Sequence, residues 1–567
     1  MKIMQSVFFS LALTGICAQI SVAEADRGRD GEVKILYWQA PSILNPYISG
    51  GTKDIEASSM IIEPLARYDA NGQIVPWLVE TVPTLENGGI SKDLKSITWK
   101  ILDDLKWSDG TKFTSADVEF TYRYCTHPDS GCARSNKFSE VSSVETPDDQ
   151  TVEIKFKIPM PNPYGVFVGA ETPILQKAQF ADCLGDRAAG CTTANFGPVG
   201  TGAFEVVKFQ PNDLIILSAN ENYREKSKPA FSKVVFKGGG SAIDAGRAVL
   251  ETGEFDYAWN LQLAPDVIGA MGEKGKGQIV AGFGPLVERL MLNHTNPDPA
   301  LDRTERSIVK PHPFLNQPAV YKAMSLAIDR NILVDTGYGT AGKVTCNWLA
   351  APEAFNSTTL SCDKQDIPAA NRLLDDAGII DTDGDGVREF NGEPLKLLFQ
   401  TSENQVRRDF QSLIKQWWAE IGIETELRTI NASVYFSSDP SSPDTTRKFY
   451  ADVEMYANTF AGTDPQFYLA NALCDEAPRP ENNWQARNVT RFCMTEYDTL
   501  YQTYVDTVDR DARAEIAKEL NDLFVQNGGI IPLVQRGRLS AHGNSLGGVE
   551  LNVWDSELWN IADWYRR

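Results

Sequence analysis

Two stretches of alternating strand and helix patterns place the strongest limit on how this chain can fold. In the first, a strand from Val234, a helix at residues 241–251 and a strand at residues 255–259 follow one another. The second stretch contains three helices, predicted at residues 318–330, 369–377 and 406–421, and two strands, predicted at residues 395–401 and 424–430. Because such alternation is typical of α/β layers, we expect two α/β lobes.

The chain is expected to cross twice between these lobes, near residues 287–293 and near residues 531–539. Two crossings make a hinge. A hinge suits a ligand enclosed between the lobes, because rigid bodies then close through dihedral changes at few positions.

The start of the chain predicts a cleavable secretory signal peptide at residues 1–23. Lys2 precedes an apolar run at residues 7–20, and Ser21-Val22-Ala23 suits cleavage after Ala23. A lipid anchor at Cys17 is the alternative, although Ile16 stands where a lipid-attachment box needs a small side chain. No later segment has the roughly 20 consecutive apolar residues that span a bilayer, so we expect a water-soluble protein exported to the periplasm.

The net charge is -22, which argues against nucleic acid or an anionic membrane surface as a partner. The length of 567 residues predicts two to four structural units, at the usual size of about 100 to 200 residues per domain.

The cysteines after the signal peptide form sequential neighbours: Cys125 with Cys132, Cys183 with Cys191, Cys346 with Cys362, and Cys474 with Cys493. An even number in an exported chain implies disulfides, and we expect each pair to close locally around its loop. A zinc site is disfavoured, because no Cys-x-x-Cys spacing occurs and only His127 lies near any pair.

Residues 106–120, KWSDGTKFTSADVEF, combine several local signals in one run. Trp107 ends an alternating segment, Asp109-Gly110 predicts a tight turn, and Thr114 with Asp117 predicts a capped helix start. Nothing in this block is catalytic.

The block resembles a hallmark of the extracellular solute-binding proteins of family 5, which carry peptides, nickel complexes and some oligosaccharides to ABC importers. Further matching blocks are ILNP at Ile43, IIEPLARYD at Ile61, GTGAFEVVKFQPND at Gly200, PFLNQPAVYKAMSLAIDR at Pro313, DGDGVRE at Asp383 and IIPLV at Ile530. The resemblance implies an α/β, two-lobe periplasmic-binding-protein fold of type II (Venus-flytrap), with a small subdomain inserted in the first lobe.

Combined with the predicted elements, the resemblance divides the chain into six segments. These are the signal peptide (1–23), the start of lobe I (24–53), the inserted subdomain (54–197), lobe I continued (198–292), lobe II (293–530) and a return to lobe I (531–567). It implies a monomer that needs no cofactor, binds a small molecule or a short or modified peptide, and hands it to an ABC permease.

Relatives that take ordinary peptides commonly have an aspartate in a W-x-A-D-Y-x-[DE]-P block, where it neutralises the amino terminus of the ligand. Counting back from Pro465, Asn458 takes the tryptophan place, Phe460 the alanine place and Ala461 the aspartate place, with Thr459 between them. The anchor is therefore missing. Asp464 could substitute only with a shifted backbone.

Two further sets are candidate ligand contacts. Gly50-Gly51-Thr52 matches the loop that pairs with the ligand backbone in peptide-binding relatives, although the glycines equally suit a turn. Trp38-Gln39 and Trp259-Asn260 end predicted strands, where α/β sheets bind ligands, although a single tryptophan at such a position is more often a core residue. Stacking beside amides would favour a planar, sugar-like or weakly charged guest, so an oligosaccharide is the alternative to a peptide.

An acidic loop, DTDGDGVRE, reproduces the first half of a calcium-binding loop. Asp381, Asp383 and Asp385 supply carboxylates, but Gly392 stands at the twelfth position, and Glu389 could only partly replace the missing glutamate. The loop is either a structural calcium site or an acidic turn.

No enzyme motif of the G-x-S-x-G or H-E-x-x-H kind occurs, and the four histidines stand in no ligand spacing. We therefore expect a binding protein rather than an enzyme. A secreted hydrolase that uses a carboxylate pair on glycosides is the contrasting class.

Overall fold

A computed structural model describes residues 26–567. The predicted signal peptide, with Cys17, lies outside the described residues. Within residues 26–567, no helix combines the length and apolar character needed to cross a bilayer.

A seven-stranded mixed sheet forms the first lobe. In spatial order its strands are β11 (Gly277–Gly282), β20 (Arg538–Gly543), β10 (Tyr257–Ala258), β1 (Glu32–Tyr37), β9 (Lys233–Gly238), β8 (Leu214–Ala219) and β7 (Phe204–Gln210). Strand β1 runs parallel to β9 and β10, with Ile35 opposite Phe236 and Tyr257.

A six-stranded mixed sheet forms the second lobe. Its spatial order is β13 (Gly342–Val344), β19 (Ile530–Arg536), β12 (Val287–Leu292), β18 (Val453–Asn458), β16 (Lys396–Ser402) and β17 (Glu424–Ile430). The two sheets confirm the expected α/β class with two lobes.

Smaller sheets and the helices complete the fold. The remaining strands are β2 (Ala66–Tyr68), β3 (Ile74–Pro76), β4 (Ser96–Lys100), β5 (Val141–Asp148), β6 (Thr151–Phe156), β14 (Glu389–Phe390), β15 (Glu393–Pro394), β21 (Leu546–Gly547) and β22 (Tyr565–Arg566). The α-helices are α1 (Thr52–Ser58), α2 (Ser115–Thr126), α3 (Lys177–Phe180), α4 (Thr192–Phe196), α5 (Ala242–Leu250), α6 (Pro265–Gly272), α7 (Pro318–Leu326), α8 (Arg330–Gly337), α9 (Ile367–Asp376), α10 (Gln405–Ala419), α11 (Ala432–Tyr435), α12 (Gln466–Leu469), α13 (Thr495–Asp506) and α14 (Arg510–Gln526).

The chain crosses between the two sheets twice, at residues 283–286 and at Gly537. The two crossings are neighbours, because the Arg536 amide donates to the Leu286 carbonyl at 3.1 Å. The sequence predicts lobe boundaries at 292/293 and 530/531. In the structure β12 and the whole of β19 pair within the second sheet, so both strands belong to lobe II.

Residues between α1 and β7, which the sequence analysis assigned to an inserted subdomain, contain a three-stranded sheet of order β4-β6-β5. Their core is continuous with that of the first sheet: Trp99 and Ile154 belong to the same buried cluster as Val33 and Phe236. The insertion therefore extends lobe I without a separate core.

Local signals in the block at residues 106–120 are confirmed. The Trp107 amide donates to the Thr111 carbonyl at 2.9 Å, and Gly110 adopts a positive φ of 84° in the turn between them. The Thr114 amide donates to Asp117 Oδ2 at 2.9 Å as part of a capping box that begins α2.

One predicted helix, at residues 318–330, ends earlier in the structure, and its last predicted residue begins a second helix. The carboxylate of Asp329 accepts hydrogen bonds from the amides of Asn331 and Ile332, at 3.0 and 3.1 Å. An aspartate in this position caps a new helix, so α7 ends at Leu326 and α8 begins at Arg330.

All four predicted disulfides are present, each between sequential neighbours. The sequence separations are 7, 8, 16 and 19 residues, in chain order. Each bond therefore closes a local loop within one lobe.

We expect the double variant C474A/C493A to lose about 3 kcal/mol in free energy of unfolding, because the bond closes a loop of 19 residues and restricts the unfolded chain. Urea denaturation of the variant and the wild type measures the loss, and a reducing agent should move the wild type in the same direction. A loss below about 1 kcal/mol would contradict this chain-entropy account.

Candidate ligand-binding cleft

A cavity of about 130 Å³ lies between the two sheets. Residues after β1 and at the start of α1 line it from the first lobe, and β12 and the end of β18 line it from the second. Leu286 and Arg536, at the two crossings, also line it. At about 10–15 Å³ for each water-sized site, the cavity has room for about ten such groups.

Most of the predicted ligand contacts meet at this cavity. They are Gln39, Gly50, Gly51, Thr52, Trp259, Asn260, Asn458 and Thr459. Three distant segments of the sequence thus converge on one place. Their contact with a ligand stays a prediction.

Neither Gly50 nor Gly51 has the positive φ that a glycine turn would need. Gly51 has a φ of -85° and is the N-cap of α1. Gly50 is also outside the left-handed region. A β-carbon on Gly50 would lie 3.3 Å from Nη2 of Arg447 in the second lobe. Close approach between the lobes, rather than turn geometry, explains a glycine at position 50.

The two tryptophans differ in their surroundings. Trp259 lines the cavity, but one face of its indole stacks on Tyr37, with centroids 4.6 Å apart and planes 6° from parallel. Trp38 instead lines a separate cavity, and its Nε1 donates to the Asn260 carbonyl at 2.8 Å. Trp38 therefore supports the cleft wall through Asn260.

Phe460, Ala461 and Asp464 lie away from the central cavity. Phe460 is buried against Tyr468. The amide of Gly462, next to Ala461, donates to the Trp554 carbonyl of the first lobe at 2.8 Å. This hydrogen bond joins the segment, which belongs to the second lobe, to the first lobe.

Asp464 is already paired within the second lobe. Its Oδ2 lies 3.0 Å from Nη2 of Arg513, and its Oδ1 accepts a hydrogen bond from the Tyr504 hydroxyl at 3.1 Å. It therefore does not replace the amino-terminus anchor that is missing at Ala461.

Strand β12 places different chemistry on its two faces, because successive side chains of a strand point in opposite directions. Leu290 and Leu292 belong to one buried core of the second lobe, and Glu288 accepts hydrogen bonds from Arg407 and Tyr338. Arg289 and Met291 line the cavity.

Arginines that the sequence analysis did not identify dominate the charge of the cleft. They are Arg289, Arg407, Arg447, Arg487, Arg536 and Arg538. They are spread over some 250 residues of sequence and share no motif, so no local signal groups them. Lys53, which forms an ion pair with Asp54 at 2.9 Å, also lines the cavity.

Some of these guanidinium groups have carboxylate partners. Glu288 lies 2.8 Å from Nε of Arg407 and 3.8 Å from Nε of Arg536, and Glu56 lies 3.4 Å from Nη1 of Arg538. Burial raises the pKa of Glu56 to about 7, although the charge of Arg538 opposes this. The carboxylates around the cleft therefore compensate only part of its positive charge.

Glu557 supplies the only carboxylate among the described residues that line the cavity. Its Oε2 accepts hydrogen bonds from the hydroxyls of Tyr257 and Ser540, each at 2.6 Å. It is buried and held inside the first lobe.

The acidic loop brings its four predicted residues together. Oxygens of Asp381, Asp383, Asp385 and Glu389 lie within 4.8 Å of one another. Asp381 accepts hydrogen bonds from the amides of Gly384 and Gly386, at 2.7 and 2.9 Å, so part of its capacity is already used. Calcium binding by this loop stays a prediction.

If the loop binds calcium, adding the ion should raise the unfolding midpoint of the wild type, because a ligand that binds only the folded state stabilises it. The double variant D383N/D385N should not respond. Differential scanning calorimetry with and without calcium measures the difference, and an equal response of both proteins would rule the loop out.

Residues 73–477 match the family model described as bacterial extracellular solute-binding proteins, family 5 Middle. A Brucella ovis protein described as an ABC transporter peptide-binding protein is 25% identical over 383 residues, which cover 66% of this chain and 64% of the relative. The nickel-binding periplasmic protein of Escherichia coli K12 is 25% identical over 397 residues, 68% of each chain. The chain thus spans about 64% of the length of the Brucella relative.

The structure of the oligopeptide-binding protein AppA from Bacillus subtilis, in complex with a nonapeptide, is similar with a TM-score of 0.81 and 19% sequence identity. The match covers 95% of this chain and 100% of AppA. At this identity the likeness shows the fold, and it confirms the two-lobe class expected from the sequence.

Proposed function

The chain belongs to the bacterial extracellular solute-binding proteins of family 5, and we propose that it encloses a small solute in the cleft and delivers it to the permease of an ABC importer. A short or modified peptide is the leading class of solute, in keeping with the described ligands of the Brucella relative and of AppA. We propose a monomeric protein that works in the periplasm.

The observation that carries this proposal is the position of the cavity beside the two crossings. Both lobes line it, and only residues 283–286 and Gly537 connect their sheets. Rotation about these short connections would open and close the cavity without changing either sheet.

Contacts between the lobes hold the cleft closed in this structure. Asn404 of the second lobe is hydrogen-bonded to Gln262 of the first. The guanidinium Nε of Arg487 donates to the Ala133 carbonyl at 3.2 Å, and Nη1 of Arg536 donates to Asn260 Oδ1 at 3.0 Å. Polar contacts of this kind can be exchanged for water when the lobes separate.

No aspartate among the described residues of the cleft is placed to bind the amino terminus of a peptide ligand. Ala461 lacks the carboxylate, Asp464 is paired with Arg513, and Glu557 is occupied by two hydroxyl groups. A free ammonium group enclosed without a partner is costly, so ligands with a blocked or distant amino group fit the cleft better.

The alternative functions receive less support from the cleft. A glycoside hydrolase needs a pair of carboxyl groups facing the substrate, whereas Glu557 alone supplies a carboxylate among the described lining residues. Trp259 and Tyr456 could contact a sugar, but a neutral ligand would leave the arginine charges without a counter-charge. We therefore propose binding without turnover.

We expect a member of a panel of di- to pentapeptides and nickel–histidine complexes to stabilise the protein without being consumed. The gain should reach about 2.7 kcal/mol at a concentration one hundred times the dissociation constant. Calorimetric unfolding measures it, and mass spectrometry of the recovered solute tests for turnover. A heat-denatured sample is the control for solute loss. Conversion of the solute, or no stabilisation by any member, would contradict the proposal.

A further inference from the structure

Arg289 is a buried cation with most of its donors unused. The residue is 5% exposed, lines the cavity and donates one hydrogen bond, from Nη1 to the Tyr468 hydroxyl at 2.8 Å. Its Nε is buried without a hydrogen-bond partner among the described residues. Because a guanidinium has five N–H donors, a ligand group can satisfy several that the protein leaves free.

No carboxylate of the described residues lies within ion-pair distance of Arg289. The rings of Tyr456 and Tyr468 flank its guanidinium, with centroids 5.6 and 5.8 Å away. Aromatic faces attract the cation only weakly compared with a carboxylate. The charge of Arg289 therefore lacks a strong partner.

Arg447, like Arg289, is a buried cation without a carboxylate partner among the described residues. It is 6% exposed, and Nη1 donates to the Ser438 hydroxyl at 2.9 Å and also to the side-chain oxygen of Gln485. Burial, together with the nearby charge of Arg134, lowers its pKa to about 10, so it still carries its charge at neutral pH. Arg289, Arg447 and Tyr456 line the same cavity.

Arg487 adds a third, half-buried cation, whose side chain donates only to the Ala133 carbonyl among the described residues. A buried charge without an opposite charge is unfavourable, and an enclosed anion would offset it. A carboxylate also matches the geometry of a guanidinium, because its two oxygens accept parallel N–H bonds.

We propose that the solute is a compact organic anion with at least one carboxylate, and that Arg289 and Arg447, which line the same cavity, bind this group. The inference rests on the proposed binding function and narrows its substrate class. It revises the weakly charged guest that the tryptophans and amides suggested. The cavity of about 130 Å³ favours a compact solute over an extended peptide, because a cavity of about 150 Å³ holds a molecule of the size of benzene.

Matched pairs of probes test the charge requirement directly. The acids are glutarate and N-acetylglycine, and the neutral partners are glutaramide and N-acetylglycinamide, so that no probe carries a free ammonium group. We expect isothermal titration calorimetry to show at least tenfold tighter binding of an acid than of its neutral partner, the difference expected for charge-assisted hydrogen bonds.

Variants of the two arginines test whether these residues cause the preference for acids. R289Q and R447Q should each weaken binding of the acid at least tenfold and leave the neutral partner unchanged, and R289K should recover part of the loss, because lysine keeps the charge but not the fork. R372Q is the matched control: it removes the same charge from an exposed position on α9 and should change nothing. Testing both arginines keeps the result decisive if one variant fails to fold.

Any of three results would overturn the inference. The first is equal or tighter binding of the neutral partners, and the second is unchanged affinity for acids in both R289Q and R447Q. Failure of every acid to bind would also overturn it, whereas the panel of peptides and nickel complexes judges the binding function separately. Neutral solutes that bind wild type and R289Q alike would leave that function standing.

Discussion

The buried carboxylate of Glu288, at the crossing between the lobes, is the interaction on which the cleft depends. It is fully buried and accepts hydrogen bonds from Nε of Arg407 at 2.8 Å and from the Tyr338 hydroxyl at 3.1 Å. Nε of Arg536 lies 3.8 Å away. The carboxylate thereby joins β12 to α10, to the end of α8 and to β19. Because removing one partner of a buried ion pair costs about 3–5 kcal/mol, these elements are held in one arrangement.

The same strand explains why the cleft is cationic in an acidic protein. Glu288 points to the side that carries Arg407, so it cannot neutralise Arg289, its neighbour on the opposite face. The net charge of -22 belongs to the chain as a whole. At physiological ionic strength exposed charges are screened beyond about 8 Å, so the groups lining the cavity decide which solute is favourable there.

Parts of the fold and of the cleft were predictable because their causes lie close together in sequence. The capping box of Thr114 and Asp117 needs a spacing of three residues, and the disulfides close loops of at most 19 residues. Gly50, Trp259 and Asn458 were found through strand ends and family blocks. The end of α7 at Leu326 and the start of α8 at Arg330 were missed, because an aspartate inside a helical pattern gives no sign that its side chain will cap a new helix.

The local elements, the paired cysteines and membership of the family follow from the order of residues alone, since periodicity, caps and short loops act between near neighbours. The character of the cleft depends on the folded arrangement. This arrangement brought Arg289, Arg447 and Arg487 to one cavity from separate segments, and it paired Asp464 with Arg513. The order of strands in the two sheets and the closure of the two lobes decide which charges meet and which are already neutralised. Neither the strand order nor the closure is set by the spacing of residues along the chain.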